Sequence, residues 1–228
     1  MILAAAQPYF APFPGFFYKA AQADLLVILD DVQFPRGTTW ITRNRLKNAV
    51  GSFWMTIPVW KKGLGLQKIR DVRICHEGRW AKKHMTTLIS AYSRSPFIKD
   101  HLPLLENLFS SSHKTITDLN LYMIRYLMEQ LQIKTDIRLL SEFPIAQKGD
   151  TLLVELCRRF GAHYFLAQSP AKKYLNPRLF SESGITLSFF RPPIPVYPQL
   201  WGHFIPNLST LDLLLNCGPK AHDILLGP

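Results

Sequence analysis

Two short apolar runs, residues 1–6 and 25–29, most constrain what this chain can fold into, because neither alternates apolar with polar side chains. Met1 to Ala6 is too short for a buried helix and stops at Gln7-Pro8-Tyr9-Phe10-Ala11-Pro12-Phe13-Pro14-Gly15. Leu25-Leu26-Val27-Ile28-Leu29 is rich in β-formers and stops at two carboxylates, Asp30 and Asp31. Strands buried on both faces read this way, and they belong to parallel sheets covered by helices on each side. The expectation is an α/β fold with a mostly parallel, three-layer sheet and helices on both faces, opening as strand, loop, helix, strand. Ligands of such sheets bind outside the carboxyl ends of the strands, which puts Gln7 and the Asp30-Asp31-Val32-Gln33 cluster on one rim.

With 228 residues, 47% of them hydrophobic, the chain can bury the core of one α/β domain spanning 1–228. The first helix is expected near 16–23. Residues 34–45 read as an irregular binding loop. Residues 50–76 read as a β-rich excursion, with a strand over 52–60 and an alternating strand over 69–75; Gly63 and Gly65 there lack the rest of a phosphate loop and read as a turn. A helical subregion follows near 78–132. Trp80, His84, Leu88 and Tyr92 form a stripe at four-residue spacing, residues 97–109 carry Pro103 in a first turn with Ser110-Ser111-Ser112 as the stop, and Thr115 opens a longer amphipathic helix. The α/β rhythm then returns, with strands near 137–140, 163–167 and 185–190. Asp150 is the expected N-cap and Gly161 the stop of a helix over 152–160; a short helix follows at 177–183, and a last one begins near Ser209.

Lys and Arg number 27 against 16 Asp and Glu, a net charge of +11, so an anionic partner is implied: a phosphorylated metabolite, a nucleic acid or an anionic membrane. Cys75, Cys157 and Cys217 are odd in number and show no metal spacing, which speaks against a disulfide scaffold or zinc module and for a reducing cytoplasm. No run approaches the roughly 18–20 apolar residues of a membrane span, and the amino terminus lacks a signal-peptide pattern. Rossmann, Walker, nucleophile-elbow and zinc-protease signatures are absent.

What remains are polar residues at strand ends. The Gln7 amide can donate to and accept from a substrate at once. Asp30 and Asp31, adjacent in a strand, point to opposite faces and do not make an acid/base pair; one is expected to meet a metal ion or substrate, the other to cap or to pair with Arg43 or Arg45. Arg43, Asn44 and Arg45, with Arg36 and Trp40, are the strongest anion-binding group, since guanidinium forks take phosphate or carboxylate bidentately and an indole can stack on a base or sugar. His84 titrates near neutrality and suits a general acid or base, although a lone His on an apolar stripe is more often structural. Lys172 and Lys173 beside a strand end suit a phosphate, and Asn207 or Ser209 is a natural cap for the last helix.

Taken in order, Gln7-Pro8-Tyr9-Phe10, Pro14-Gly15-Phe16-Phe17, Asp30-Asp31-Val32-Gln33, Trp40-Ile41-Thr42-Arg43-Asn44-Arg45, Trp80 with Lys83-His84, Tyr174-Leu175 and Phe204-Ile205-Pro206-Asn207-Leu208-Ser209 with Asp212 resemble the WbqC-like protein family over nearly the whole chain. Members are similar to proteins encoded among O-antigen and other surface-polysaccharide genes. The resemblance implies a transferase of lipopolysaccharide-type precursor biosynthesis that modifies a sugar, by aminoacyl or acyl transfer from an anionic donor. It adds Tyr9, Gly15, Gln33, Tyr174 and Asp212 to the substrate-binding candidates. From their clustering at predicted strand ends, Asp30 or Asp31 with His84 would manage the proton, Gln7 and Asn44 would orient the acceptor, and Arg43, Arg45 and Lys172 would hold phosphate. The sequence carries no metal signature, and a nucleotide or acyl donor fits. Asn176 stands where the family pattern has Asp, so a catalytic role for that Asp would leave this chain impaired. The rival readings are an RNA-binding module, with charged tRNA as a partner, and a scaffold of a glycan-assembly complex.

Overall fold

The computed structural model describes residues 1–110 and 113–227. In chain order its elements are β1 (Ile2–Ala6), α1 (Pro14–Ala21), β2 (Leu25–Ile28), β3 (Arg43–Asn48), β4 (Gly51–Thr56), α2 (Trp80–Tyr92), α3 (Ile98–Ser110), α4 (Ile116–Gln130), β5 (Asp136–Leu139), α5 (Gly149–Phe160), β6 (Tyr164–Gln168), α6 (Pro177–Ser181), β7 (Thr186–Phe190), α7 (Thr210–Cys217) and α8 (Ala221–Leu226). Five strands form one parallel sheet in the order β5-β2-β1-β6-β7. The chain winds outward from β1 through β2 to β5, returns across the sheet, and winds the other way through β6 to β7. Its direction reverses between β1 and β6.

The opening runs lack alternation because both faces of the sheet are covered. Ala4, Ala6, Leu26 and Ile28 pack into one core with α1, α4 and α7, while Leu3, Leu25 and Val27 pack into a second with α5 and Phe180 of α6. Consecutive side chains of a strand point to opposite faces, so each strand feeds both cores.

Between β2 and β5 the chain inserts the antiparallel β3–β4 hairpin and the helices α2 to α4. Three local expectations are corrected here. The supposed loop at 34–45 becomes strand from Arg43, because Asn44 and Leu46 turn inward while Arg43 and Arg45 stay half-buried. Residues Ile69–Asp71 form a 3₁₀ turn in place of an alternating strand, and only isolated bridges follow, Val59 to Ile74 and Arg73 to Thr115; the buried positions are Ile69, Val72 and Ile74, whose spacing is not that of a strand. Pro103 lies inside α3, past its first turn. The stop expected at Ser110 to Ser112 runs into Ser111 and Ser112, which lie outside the described residues.

Several ends were readable. Thr115 caps α4 by accepting from the Asp118 amide while the Asp118 carboxylate accepts from the Thr115 amide. Gly161 ends α5 in the left-handed region, and the Ser209 hydroxyl accepts from the Leu211 amide at the start of α7. The expected Asp150 cap is displaced: Lys148 precedes α5, and the Asp150 carboxylate accepts from the Asn176 amide 2.7 Å away, ahead of α6. No described helix is long and apolar enough to cross a membrane.

Candidate functional site

A cleft of about 530 Å³ opens at the carboxyl ends of β1 and β6, where the winding reverses. Open parallel sheets bind ligands at this point because the connections leave the strand ends in opposite directions, and a crevice remains between them. Its walls include Gln7, Tyr9, Phe16, Lys19, Gln168 and Tyr174, and no Asp or Glu lines it among the described residues.

The Pro-rich segment after β1 has no regular structure, yet two asparagine amides hold it. Asn44 Nδ2 donates to the carbonyls of Phe10 and Ala11, and Asn120 Nδ2 donates to those of Pro8 and Ile41. Asn44 Oδ1 accepts from the Arg45 amide, so this buried side chain, a substrate-binding candidate by sequence, is fully engaged with backbone. Gln7 and Tyr9 are thereby presented to the cleft, and the Gln7 amide makes no hydrogen bond among the described residues.

Lys19 supplies the cleft's cation. It projects from α1, is only 9% exposed, and its Nζ donates to the Ala5 carbonyl of β1 at 2.7 Å. Burial without a carboxylate partner pushes its amine down to about 8. Opposite α1, Gln168 Nε2 at the end of β6 donates to the Gly15 carbonyl at 2.9 Å. Burial, and then the neighbouring Tyr174 phenol, push the Tyr9 hydroxyl above its usual range; Tyr174 itself is mostly exposed.

Gly15 has a steric reason to be glycine. A Cβ there would stand 2.7 Å from the Phe13 ring and 2.8 Å from Pro192 Cγ. Gly15→Ala is expected to lower stability by about 1–3 kcal/mol through overpacking, read as a drop in the urea midpoint.

The other sequence candidates lie elsewhere. Asp30 is 1% exposed and accepts from the Ser141 amide (2.9 Å) and hydroxyl (2.6 Å), tying the end of β2 to the turn after β5. Asp31, like Asp30 beyond the end of β2 at Ile28, pairs with Lys68 (2.8 Å) and Arg70 (2.9 Å) in place of Arg43 or Arg45. With Gln33 it borders a second cleft, of about 560 Å³, that also includes Gln67 and Gln147. His84 sits on α2, its Nε2 2.8 Å from the Thr56 carbonyl and its ring against Trp80 and Phe109; burial lowers its pKa first, against the opposing pull of that carbonyl. Asp30, Asp31 and His84 therefore do not converge on the β1/β6 cleft. Arg43, Arg45 and Trp40 gather around Trp54 on the hairpin. Lys172, next to the cleft residue Ala171, holds its Nζ over the Phe189 ring. Asn207 is exposed with φ of 55°, Ser209 is the buried cap, and Asp212 accepts from Tyr92 and Tyr197 inside the core. No cluster of three or more His, Cys, Asp or Glu suited to a metal is found among the described residues.

A family model for the WbqC-like protein family matches residues 7–224. The chain belongs to the WbqC-like family. It is similar to the uncharacterized protein Rv1507c of Mycobacterium tuberculosis (strain ATCC 25618 / H37Rv), with 32% identity over 226 residues, 98% of this chain and 96% of that one. No solved structure matches it.

In this WbqC-like chain, sequence reading found Gln7, Tyr9 and Tyr174 of the cleft and missed Lys19 and Gln168. A signal for Lys19 was present: it is the only charged residue in Pro-Gly-Phe-Phe-Tyr-Lys-Ala-Ala, the first helix after β1. In a doubly wound sheet that helix flanks the reversal point. Asn176, the departure from the WbqC-like pattern, is a helix cap whose Oδ1 accepts from the Arg178 amide.

Proposed function

We propose that this WbqC-like protein is a transferase of bacterial surface-polysaccharide precursor biosynthesis that moves an acyl or aminoacyl group from an anionic activated donor to a sugar. The observation that carries this reading is the Lys19 amine, nine-tenths buried in the cleft at the reversal point and tuned to about 8. Perturbed amines in clefts serve as bases, and this one is partly neutral near physiological pH. The acceptor's amine or hydroxyl attacks the donor's carbonyl carbon. The new bond to that carbon forms, the bond to the donor's leaving group breaks, and the leaving group departs with its electron pair. Neutral Lys19 takes the proton that the acceptor loses and returns it to the leaving group or to solvent. The free amide of Gln7 donates to the carbonyl oxygen, and Tyr9 and Tyr174 flank the acceptor ring. An acid-free lining and the nearby Lys172 favour an anionic donor.

The test is a thermal-shift screen with nucleotide sugars, acyl-CoAs and other activated acyl donors. A bound donor at 100 times its Kd adds about 2.7 kcal/mol to stability. The stabilisation should be lost in Gln7→Ala, and product should be seen as an added acyl mass on an amino-sugar acceptor. A screen without response from any donor class sinks the reading.

A further inference from the structure

Between Asp31 and Asp71 the chain carries no acidic residue and eight Lys and Arg. Lys68 and Arg70 are taken up by Asp31, and Lys47 is buried, donating to Gln199 Oε1 and the His203 carbonyl. The other five (8 − 3 = 5), Arg36, Arg43, Arg45, Lys61 and Lys62, have no carboxylate partner among the described residues. The same stretch holds three tryptophans that stand well out of the surface: Trp40 is 42% exposed, Trp54 44% and Trp60 42%.

These groups are arranged in relation to one another. Arg45 of β3 lies opposite Trp54 of β4 in the hairpin register, which puts both on one face. The Arg43 guanidinium sits 4.1 Å from the Trp54 ring centroid, that of Arg45 5.9 Å, and the Trp40 ring 5.5 Å. Arg45 Nε is buried and has no hydrogen-bond partner among the described residues. Ile57 continues the hairpin pairing by donating to the Thr42 carbonyl, and the segment runs on to Trp60 and to Lys61, whose ammonium lies 4.8 Å from the Phe34 ring.

A guanidinium held against an indole keeps N–H groups at its edge for a phosphate, and a half-exposed indole offers a face to a base. Core packing would have buried the rings, and a merely solvated basic loop would not stack its arginines on them. Ring and charge recur along the segment, as they do along a polymer with one base and one phosphate per unit; a single small anion requires neither repetition. We propose that this hairpin face and the segment that continues it to Lys61 bind single-stranded RNA, with bases on Trp40, Trp54 and Trp60 and phosphodiesters on Arg43, Arg45 and Lys61. RNA is favoured over DNA because its loops and ends ordinarily present unstacked bases. This surface stands apart from the Lys19 cleft, joined to it through the Phe10 amide that donates to the Trp40 carbonyl at 2.8 Å.

The experiment is fluorescence anisotropy of the full chain with a labelled, unstructured RNA of about 12 nucleotides, titrated from about 50 to 200 mM salt. Affinity should fall linearly on logarithmic axes. Arg43→Gln should flatten the slope by about 0.7, the share of one phosphate on a single strand. Trp40→Ala should weaken binding about tenfold at fixed salt, with Trp60→Ala as a second variant in case the first does not fold. Lys134→Gln, an exposed lysine just ahead of β5 at the other end of the sheet, should change neither. The proposal is overturned if Lys134→Gln matches Arg43→Gln, or if duplex RNA or single-stranded DNA binds more tightly than the single-stranded RNA. It is equally overturned if Trp40→Ala abolishes binding of an acidic polysaccharide and leaves RNA binding intact.

Discussion

Lys19→Met is expected to remove transfer activity and to stabilise the protein at neutral pH. As a general base in the transition state, the amine should account for roughly 10²–10⁴-fold in kcat/KM. Its effect on stability has the opposite sign. The amine falls from an ordinary 10.5 to about 8 on folding because burial disfavours the cation. At about 1.36 kcal/mol per pH unit, that displacement costs the native state about 3 kcal/mol at pH 7. Losing the bond to the Ala5 carbonyl offsets part of the gain, so Lys19→Met should stabilise by about 1–3 kcal/mol. Between pH 8 and 10.5 the unfolded chain holds this proton and the folded chain does not, so wild-type stability rises with pH across that window. The advantage of the variant is therefore full below pH 8 and fades towards 10.5. Urea midpoints at pH 7 and pH 10 measure it, and wild-type kcat/KM should climb with pH to a plateau above about 8. A Lys19→Met protein that is less stable at pH 7 would show the amine to be a packing element.

Asp212→Ala is expected to give the largest loss of stability. The carboxylate is 1% exposed and accepts from the Tyr92 hydroxyl at 2.6 Å and the Tyr197 hydroxyl at 2.8 Å, joining α2 and the Pro-rich segment to α7. Tyr92 also accepts from the Lys47 amide of β3, so the hairpin hangs on the same group. Burial raises the Asp212 carboxyl, while the two phenols and the more distant Lys47 ammonium draw it back down. Truncation leaves two buried hydroxyls without an acceptor, each costing roughly 1–3 kcal/mol, and opens a void; the sum is about 3–5 kcal/mol, against a typical domain stability of about 5–15 kcal/mol. Asp212→Asn keeps the shape and one carbonyl oxygen and should lose about half as much. The readout is a lower denaturation midpoint at unchanged m-value, with activity per folded molecule of Asp212→Asn within severalfold of wild type. A fall in kcat/KM at undiminished stability would place Asp212 against substrate.

Local sequence by itself determined the layered α/β class, the burial of β1 and β2 on both faces, the starts of α4 and α7 and the stop of α5. These depend on side-chain alternation, on the φ that Gly161 tolerates, and on capping by Thr115 and Ser209, all settled within a few residues. It also put Asp30 and Asp31 just past the carboxyl end of β2, whose last residue is Ile28. Tertiary structure alone decided what those residues meet. Asp31 finds Lys68 and Arg70 because the insertion folds back along the end of β2, and Asp30 finds Ser141 because β5 lies beside β2. Arg43 and Arg45 meet Trp54 only because the supposed loop is a strand in a hairpin. Lys19 reads as an ordinary helix lysine until α1 is laid against β1 beside β6, where burial shifts its amine. Proton affinity and ion pairing follow distance and dielectric in space, and separation along the chain encodes neither.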